Sequence, residues 1–233
     1  MLEVERVSAA YGLARVLHEL TLDVREGEVA VLLGRNGAGK STCLKTIIGL
    51  QRTLSGAIRF EGRRIDRLQP FQIARLGLGY VPEDRRIFSD LTVMQNLEVG
   101  REASRGRSSH WTPRRVFELF PSLGRMQNRP GARMSGGEQQ MLTIARTLMG
   151  SPKTILLDEP SEGLAPLIAE QLANTVLELK REGLSVLLCE QNLYFAQRVA
   201  DRAFIIERGR LRYTGTMQAL AEDEEVRDKY LSI

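Results

Sequence analysis

The sequence predicts an α/β protein built on a mostly parallel sheet core, with an antiparallel β subdomain and an inserted helical subdomain. Three observations carry that expectation. Short aliphatic runs alternate with helical periodicity, as strand–helix–strand units require. Leu2 to about Glu28, together with Gly56 to Ile65, alternates apolar and polar residues, as antiparallel strands covering one edge of the core do. From about Asp84 to Met149 the pattern is mostly helical, broken by loops containing Arg and Gly. With 233 residues, 42% of them hydrophobic and 27% charged, the chain can bury a sizeable core.

Val29 to Leu33 reads as a buried strand that runs through a Gly-rich turn into a helix from about Ser41 to Gly49, with Leu44, Ile47 and Ile48 on its apolar face. Thr154–Leu157, Ser185–Cys189 and Ala203–Glu207 are further short strands. Helices from about Ile168 to Arg181 and Leu193 to Ala200 separate them, and Gly183 is placed to end the first. The tail from Thr216 carries acids at Glu222 to Glu225, which suit the first turn of one short terminal helix. On this reading 1–233 is a single domain, with 1–83 and 150–233 as core and β subdomain and 84–149 as the helical subdomain.

The longest apolar stretches fall well short of the roughly 20 residues that cross a bilayer, so any membrane association is expected to be peripheral. The first residues, Met1-Leu2-Glu3-Val4-Glu5-Arg6, lack the basic-then-apolar order of a secretory signal. Cys43 and Cys189 offer no disulfide framework, which fits a reducing cytoplasm. A net charge of +4, spread along the chain, gives no footprint for nucleic acid. The densest basic stretch, Arg101, Arg105, Arg107, Arg114 and Arg115 with His110 and Trp111, reads as a solvated loop rather than a lipid or partner contact.

Gly34-Arg35-Asn36-Gly37-Ala38-Gly39-Lys40-Ser41-Thr42 follows the first parallel strand and opens a helix, the context that a G-x-x-x-x-G-K-[ST] phosphate-binding loop needs. The glycines let backbone N–H groups turn inward on phosphate oxygens, and the helix N-terminus adds its positive dipole end. Lys40 is placed for the β- and γ-phosphates and Ser41 for Mg²⁺. Leu156-Leu157-Asp158-Glu159-Pro160 ends an apolar strand in two carboxylates, and strand alternation sends them different ways. Asp158 suits Mg²⁺ and Glu159 suits the attacking water, whereas a solvated turn is the plainer account of two acids taken alone.

Met134-Ser135-Gly136-Gly137-Glu138-Gln139-Gln140 reads as a capping box, Ser135 with Glu138, opening a helix whose inward face is Met141, Leu142, Ile144, Ala145, Leu148 and Met149. The same residues resemble the signature of the ABC ATPases, and the resemblance extends over nearly the whole chain. It implies a P-loop ATPase of ABC type that binds ATP and Mg²⁺ and works as a dimer. Ser135, Gly136 and Gly137 of one subunit then close over ATP held by the phosphate loop of another, and Tyr11 stacks on adenine. Three positions depart from the commonest pattern of the family: Glu83 stands for a glutamine that senses Mg²⁺ and the permease, Gln191 for the switch histidine, and Ser161-Glu162-Gly163-Leu164-Ala165 lacks an aspartate. Gln191 can donate an amide N–H to a γ-phosphate oxygen but cannot carry a proton.

Those departures resemble the shorter of the two ATPases of importers for branched-chain amino acids and related hydrophobic or amide substrates. The resemblance implies a second, longer ATPase as partner, two transmembrane permease subunits, an extracytoplasmic solute-binding protein, and a place on the cytoplasmic face of the cell membrane. The competing class is a non-transport ABC ATPase acting on ribosomes, DNA or iron–sulfur cluster assembly. Such proteins usually fuse two halves or carry a long coiled coil, and neither is present in this sequence.

Overall fold

The computed structural model describes residues 1–102 and 111–231. Among the described residues ten strands form two sheets: β1 (Leu2–Tyr11), β2 (Ala14–Val24), β3 (Val29–Leu33), β4 (Thr53–Phe60), β5 (Arg63–Arg64), β6 (Leu78–Val81), β7 (Thr154–Asp158), β8 (Ser185–Glu190), β9 (Arg202–Glu207) and β10 (Arg210–Thr216). The larger sheet runs β10-β9-β3-β8-β7-β6 and is parallel from β9 to β6, with β10 added antiparallel at its edge. The smaller, β2-β1-β4-β5, is antiparallel throughout.

All residues of β3, β7 and β8 are buried, as expected for parallel strands covered on both faces. Val29, Val31 and Leu33 enter one apolar core, shared with the helices α6 (Gly136–Met149), α7 (Pro166–Arg181) and α8 (Leu193–Val199). Ala30 and Leu32 enter the other, shared with α1 (Lys40–Ile47) and the antiparallel sheet. The small sheet therefore covers a face of the large one, not an edge as the sequence reading had it. The reason is geometric: α1 is one short helix, and Leu156, Leu187 and Phe204 also need cover on that side.

Other helices are α2 (Pro70–Leu76), α3 (Val93–Arg101), α4 (Pro113–Leu119), α5 (Pro121–Gly124), α9 (Met217–Glu222) and α10 (Glu224–Tyr230). The acidic tail forms two short helices, because Asp223 leaves the first and caps the second, its Oδ1 accepting from the Val226 N–H at 3.0 Å. Within the basic stretch, 103–110 lies outside the described residues; Trp111 is buried in the helical core, while Arg115 pairs with Glu118 and Glu182. No helix among the described residues is long and apolar enough to cross a membrane.

An ion cluster, buried at Glu28 and half exposed at Asp23, clamps the two sheets together. Arg202 on β9 donates from Nε to Glu28 Oε1 at 2.8 Å, and from Nη1 and Nη2 to the Asp23 carboxylate at 2.9 and 2.7 Å. Its guanidinium also lies 4.9 Å from the centre of the Phe204 ring. The hydrogen bond and charge of Arg202 hold the Asp23 carboxyl below its ordinary value. Replacing Arg202 with Met strands Glu28 as a buried anion, and we expect a loss of about 3 kcal/mol in urea unfolding. A carboxyl depressed by folding stabilises fully above its unfolded pKa of roughly 4 and loses that effect as pH falls through the folded value. The wild-type chain should therefore lose stability below about pH 4 more steeply than the Met variant.

Candidate functional site

The parallel register sets the site. Leu33 of β3 stands opposite Glu190 of β8, Asp158 of β7 opposite Cys189, and Val81 of β6 opposite Leu157. The carboxyl ends of four strands thus finish along one edge, where α/β sheets bind ligands. From that edge emerge the phosphate loop, Asp158-Glu159, Gln191 and Glu83.

Gly39 precedes α1 with φ +111°, a conformation that L side chains rarely adopt. Lys40 is 3% exposed and folds back over the loop, donating from Nζ to Gly34 O at 2.8 Å and Arg35 O at 3.1 Å. Its third partner is Glu159 Oε1 at 3.0 Å, so the loop's cation and the second carboxylate form a buried ion pair. Glu159 holds φ +44°, which is uncommon for a residue with a side chain and marks a backbone shaped to aim it. Its N–H donates to Cys189 O at 3.0 Å.

Asp158 is almost wholly buried, and burial raises its carboxyl above the ordinary range against the hydrogen bonds from Ser41 and Tyr80. Tyr80 Oη donates to Oδ2 at 3.1 Å, while Oδ1 is buried with no hydrogen-bond partner. An orphaned carboxylate oxygen beside the Ser41 hydroxyl is a donor set that suits a hard divalent cation. Tyr80 went unread in the sequence, where Gly79-Tyr80-Val81 gave no strand signal beyond a short apolar run.

A second acidic layer surrounds Glu159. Glu162 hydrogen-bonds Glu159, and that bond, partial burial and the charges of Glu159, Glu83 and Glu190 push its carboxyl up to about 7. Glu83 and Gln191 are exposed. Tyr11 lies at the end of β1, 49% exposed. It pairs across the sheet with Ala14 on β2, and further along β2 Leu17 packs beside Gly39.

Ser135 caps α6 as the sequence indicated: Ser135 Oγ accepts from the Glu138 N–H and Glu138 Oε2 accepts from the Ser135 N–H at 2.8 Å. The helix's inward face, Met141 to Met149, is buried as read. Among the described residues no hydrogen bond joins Ser135, Gly136 or Gly137 to the phosphate loop. The start of α6 instead faces the segment after Glu83. A Cβ at Gly136 would meet Arg85 Nη1 at 2.5 Å, and Thr143 Oγ1 donates to Arg85 O at 2.7 Å.

The β9–β10 turn braces the phosphate loop. Gly209 N–H donates to Ala38 O at 2.8 Å, and its carbonyl accepts from the His18 N–H at 2.9 Å. Gly209 has φ +73°, and a Cβ there would lie 1.7 Å from Val16 O. Gly209→Ala is expected to cost at least about 2 kcal/mol of stability and to weaken ATP binding, read by thermal melting and fluorescent-nucleotide titration.

The ABC transporter family profile matches residues 17–162. The chain is 45% identical over 231 residues to BraG, a high-affinity branched-chain amino acid transport ATP-binding protein of Pseudomonas aeruginosa, covering 99% of each chain. It is also 33% identical over 233 residues to LptB, the ATP-binding protein of a lipopolysaccharide export system in Haemophilus influenzae, covering 99% of this chain and 97% of LptB. Among solved structures, an ATP-binding subunit of an ABC transporter superposes with a TM-score of 0.85 at 33% identity, over 97% of this chain and 94% of its own. A phosphate loop, an acid pair and a capped signature helix at the edge of one parallel sheet, with likeness to ATP-binding subunits over nearly the whole length, make this chain a member of the ABC transporter family, an ATPase of the ATP-binding cassette type.

Proposed function

We propose that the chain is the ATP-hydrolysing motor subunit of an importer for branched-chain amino acids or related hydrophobic or amide solutes, working from the cytoplasmic face of the membrane. The observation that carries the motor reading is the convergence of Lys40, Asp158 and Glu159 at one sheet edge. The likeness to BraG over 99% of both chains supports the solute class.

Members of this family work as dimers with membrane permease components. In our reading Tyr11 stacks on adenine, and Gly34, Asn36, Gly37, Gly39 and Thr42 offer backbone N–H groups to the phosphates. Lys40 exchanges Glu159 for the β- and γ-phosphates, which frees Glu159 to orient the attacking water. Ser41 and Asp158, with Glu83 nearby, would hold Mg²⁺, which supplies charge stabilisation to the transferring phosphoryl group. Gln191 donates its amide to a γ-phosphate oxygen. Ser135, Gly136 and Gly137 act on the nucleotide of a second, non-identical ATPase, where the dipole end of α6 suits an anion.

Closure passes to the membrane through the helical segment 84–149. Leu50, Phe71, Tyr80, Phe88, Val99 and Arg146 line a largely apolar groove of about 410 Å³, with Phe71 58% and Phe88 47% exposed. The groove is of a size and polarity to take a cytoplasmic helix of a permease. Arg146 Nη2 donates to Arg86 O at 2.7 Å and stacks over Phe88 at 5.0 Å, which ties this wall to the segment after Glu83. The two permeases, with an extracytoplasmic solute-binding protein, select the solute; nucleic acid has no part in the cycle.

Glu159→Gln is expected to lower ATP turnover by at least about 100-fold. Removing the ion pair at Lys40 should at the same time leave nucleotide affinity equal or tighter; a turnover rate like that of the wild type would remove Glu159 from the catalytic role. For the transport assignment, tagged chain solubilised with its native membranes should bring down two multi-spanning permeases and a second ATPase. Phe71→Arg with Phe88→Arg should release the permeases while ATP affinity holds. Ribosomal or DNA-bound partners without any membrane protein would overturn it.

A further inference from the structure

We infer that Glu190 is a positioning residue for hydrolysis, holding the loop that follows Glu159 and the loop that carries Gln191 in one fixed relation. The inference rests on the reading of Glu159 and Gln191 given above. Glu190 ends β8 with 1% of its surface exposed. Its Oε1 accepts the Ser161 N–H at 3.1 Å, and its Oε2 accepts the Asn192 N–H at 3.3 Å. Ser161 lies two residues after Glu159, whose carbonyl in turn accepts the Glu162 N–H at 3.1 Å. Asn192 directly follows Gln191 and caps α8, its Oδ1 accepting from the Phe195 N–H at 3.1 Å. One carboxylate therefore reaches both segments, and Gln191 lies between its two anchors, Glu190 itself and Asn192.

The charge makes the arrangement informative. Among the described residues no cation forms a salt bridge with Glu190, and burial together with the neighbouring charge of Glu159 disfavours its ionised form. A buried carboxyl held by the Ser161 side chain and by two backbone N–H groups, with no salt bridge, costs desolvation that an apolar side chain would not. What the carboxylate provides in return is two acceptor oxygens, one for each segment, a bridge that a side chain with a single acceptor cannot reproduce. Since catalysis depends on placing groups within a fraction of an ångström, loosening that bridge should show in the chemical step and not in binding.

The test compares full-length wild type with Glu190→Gln, Glu190→Ala and Glu159→Gln, measuring phosphate release at saturating Mg-ATP, ATP affinity by titration, and melting temperature. Gln keeps the shape and one acceptor, so it guards against a variant that merely fails to fold. We expect kcat to fall about tenfold in Glu190→Gln and about 100-fold in Glu190→Ala, with ATP affinity within twofold of wild type in both, melting temperature held in Glu190→Gln and lowered in Glu190→Ala, where the Ser161 and Asn192 N–H groups lose their acceptor. Wild-type kcat in both Glu190 variants, with Glu159→Gln inactive, would overturn the role of Glu190 while leaving the hydrolysis reading intact. A parallel fall of affinity, melting temperature and kcat would reduce Glu190 to a purely structural part and overturn the proposal equally. Undiminished turnover in Glu159→Gln would instead overturn the reading on which the proposal rests.

Discussion

The parallel register of β6, β7, β8 and β3 is the constraint on which the rest depends. Because Leu33 stands opposite Glu190, Cys189 opposite Asp158 and Leu157 opposite Val81, each strand ends within a residue of its neighbour, and groups far apart in the chain reach one place without any long side chain having to search for it. The strands can hold that register because they are buried on both faces, where slipping by one residue would exchange the contents of two separate cores. The apolar patterning of Val29–Leu33 and Ser185–Glu190 thus has a chemical result. It sets the separation between a phosphate loop and the acids that serve it.

Charges at that edge are costly, and the fold answers each in a different way. Lys40 and Glu159 neutralise one another at 3.0 Å in almost complete burial. Asp158 is held by hydroxyls, with one oxygen left over, and the Glu162 carboxyl is pushed up to about 7 by its hydrogen bond to Glu159 and the acids around it. Such an edge is tense by construction. On the proposed function, a polyanionic nucleotide with its cation would offer phosphates to Lys40 and positive charge to the surplus oxygen of Asp158.

Much of this was legible in the sequence, for identifiable reasons. Aliphatic runs ending in Gly or paired acids are unambiguous when the strand is wholly buried, so β3, β7 and β8 were read nearly to the residue, and the Ser135–Glu138 box located the start of α6. What escaped depends on contacts that no local pattern encodes. β6 is four residues long and contains Gly79, which is there because a Cβ would lie 2.7 Å from Thr147 on α6. β10 is half exposed at the sheet edge, so its alternation is weak. Trp111 sits among Ser, Gly and Arg yet plugs the helical core. The small sheet's alternation revealed that one face is buried but not against what. Within the site, the residue types were readable and their partners were not: the Lys40–Glu159 pair, Tyr80 on Asp158 and the double grip of Glu190 all join distant segments.

The pairing of Lys40 with Glu159 also bears on which anions the loop would favour. A bare lysine in a nest of N–H groups would be a sink for any small anion in the cell, inorganic phosphate foremost. With its charge already answered by an internal carboxylate, the loop presents little net attraction to a single phosphate. On the proposed function, a ligand that brings several phosphoryl groups, a metal and a base to stack would gain more against that pair than a single phosphate, so selection would follow the number of simultaneous contacts. The ion pair would then act as a threshold against lone phosphate.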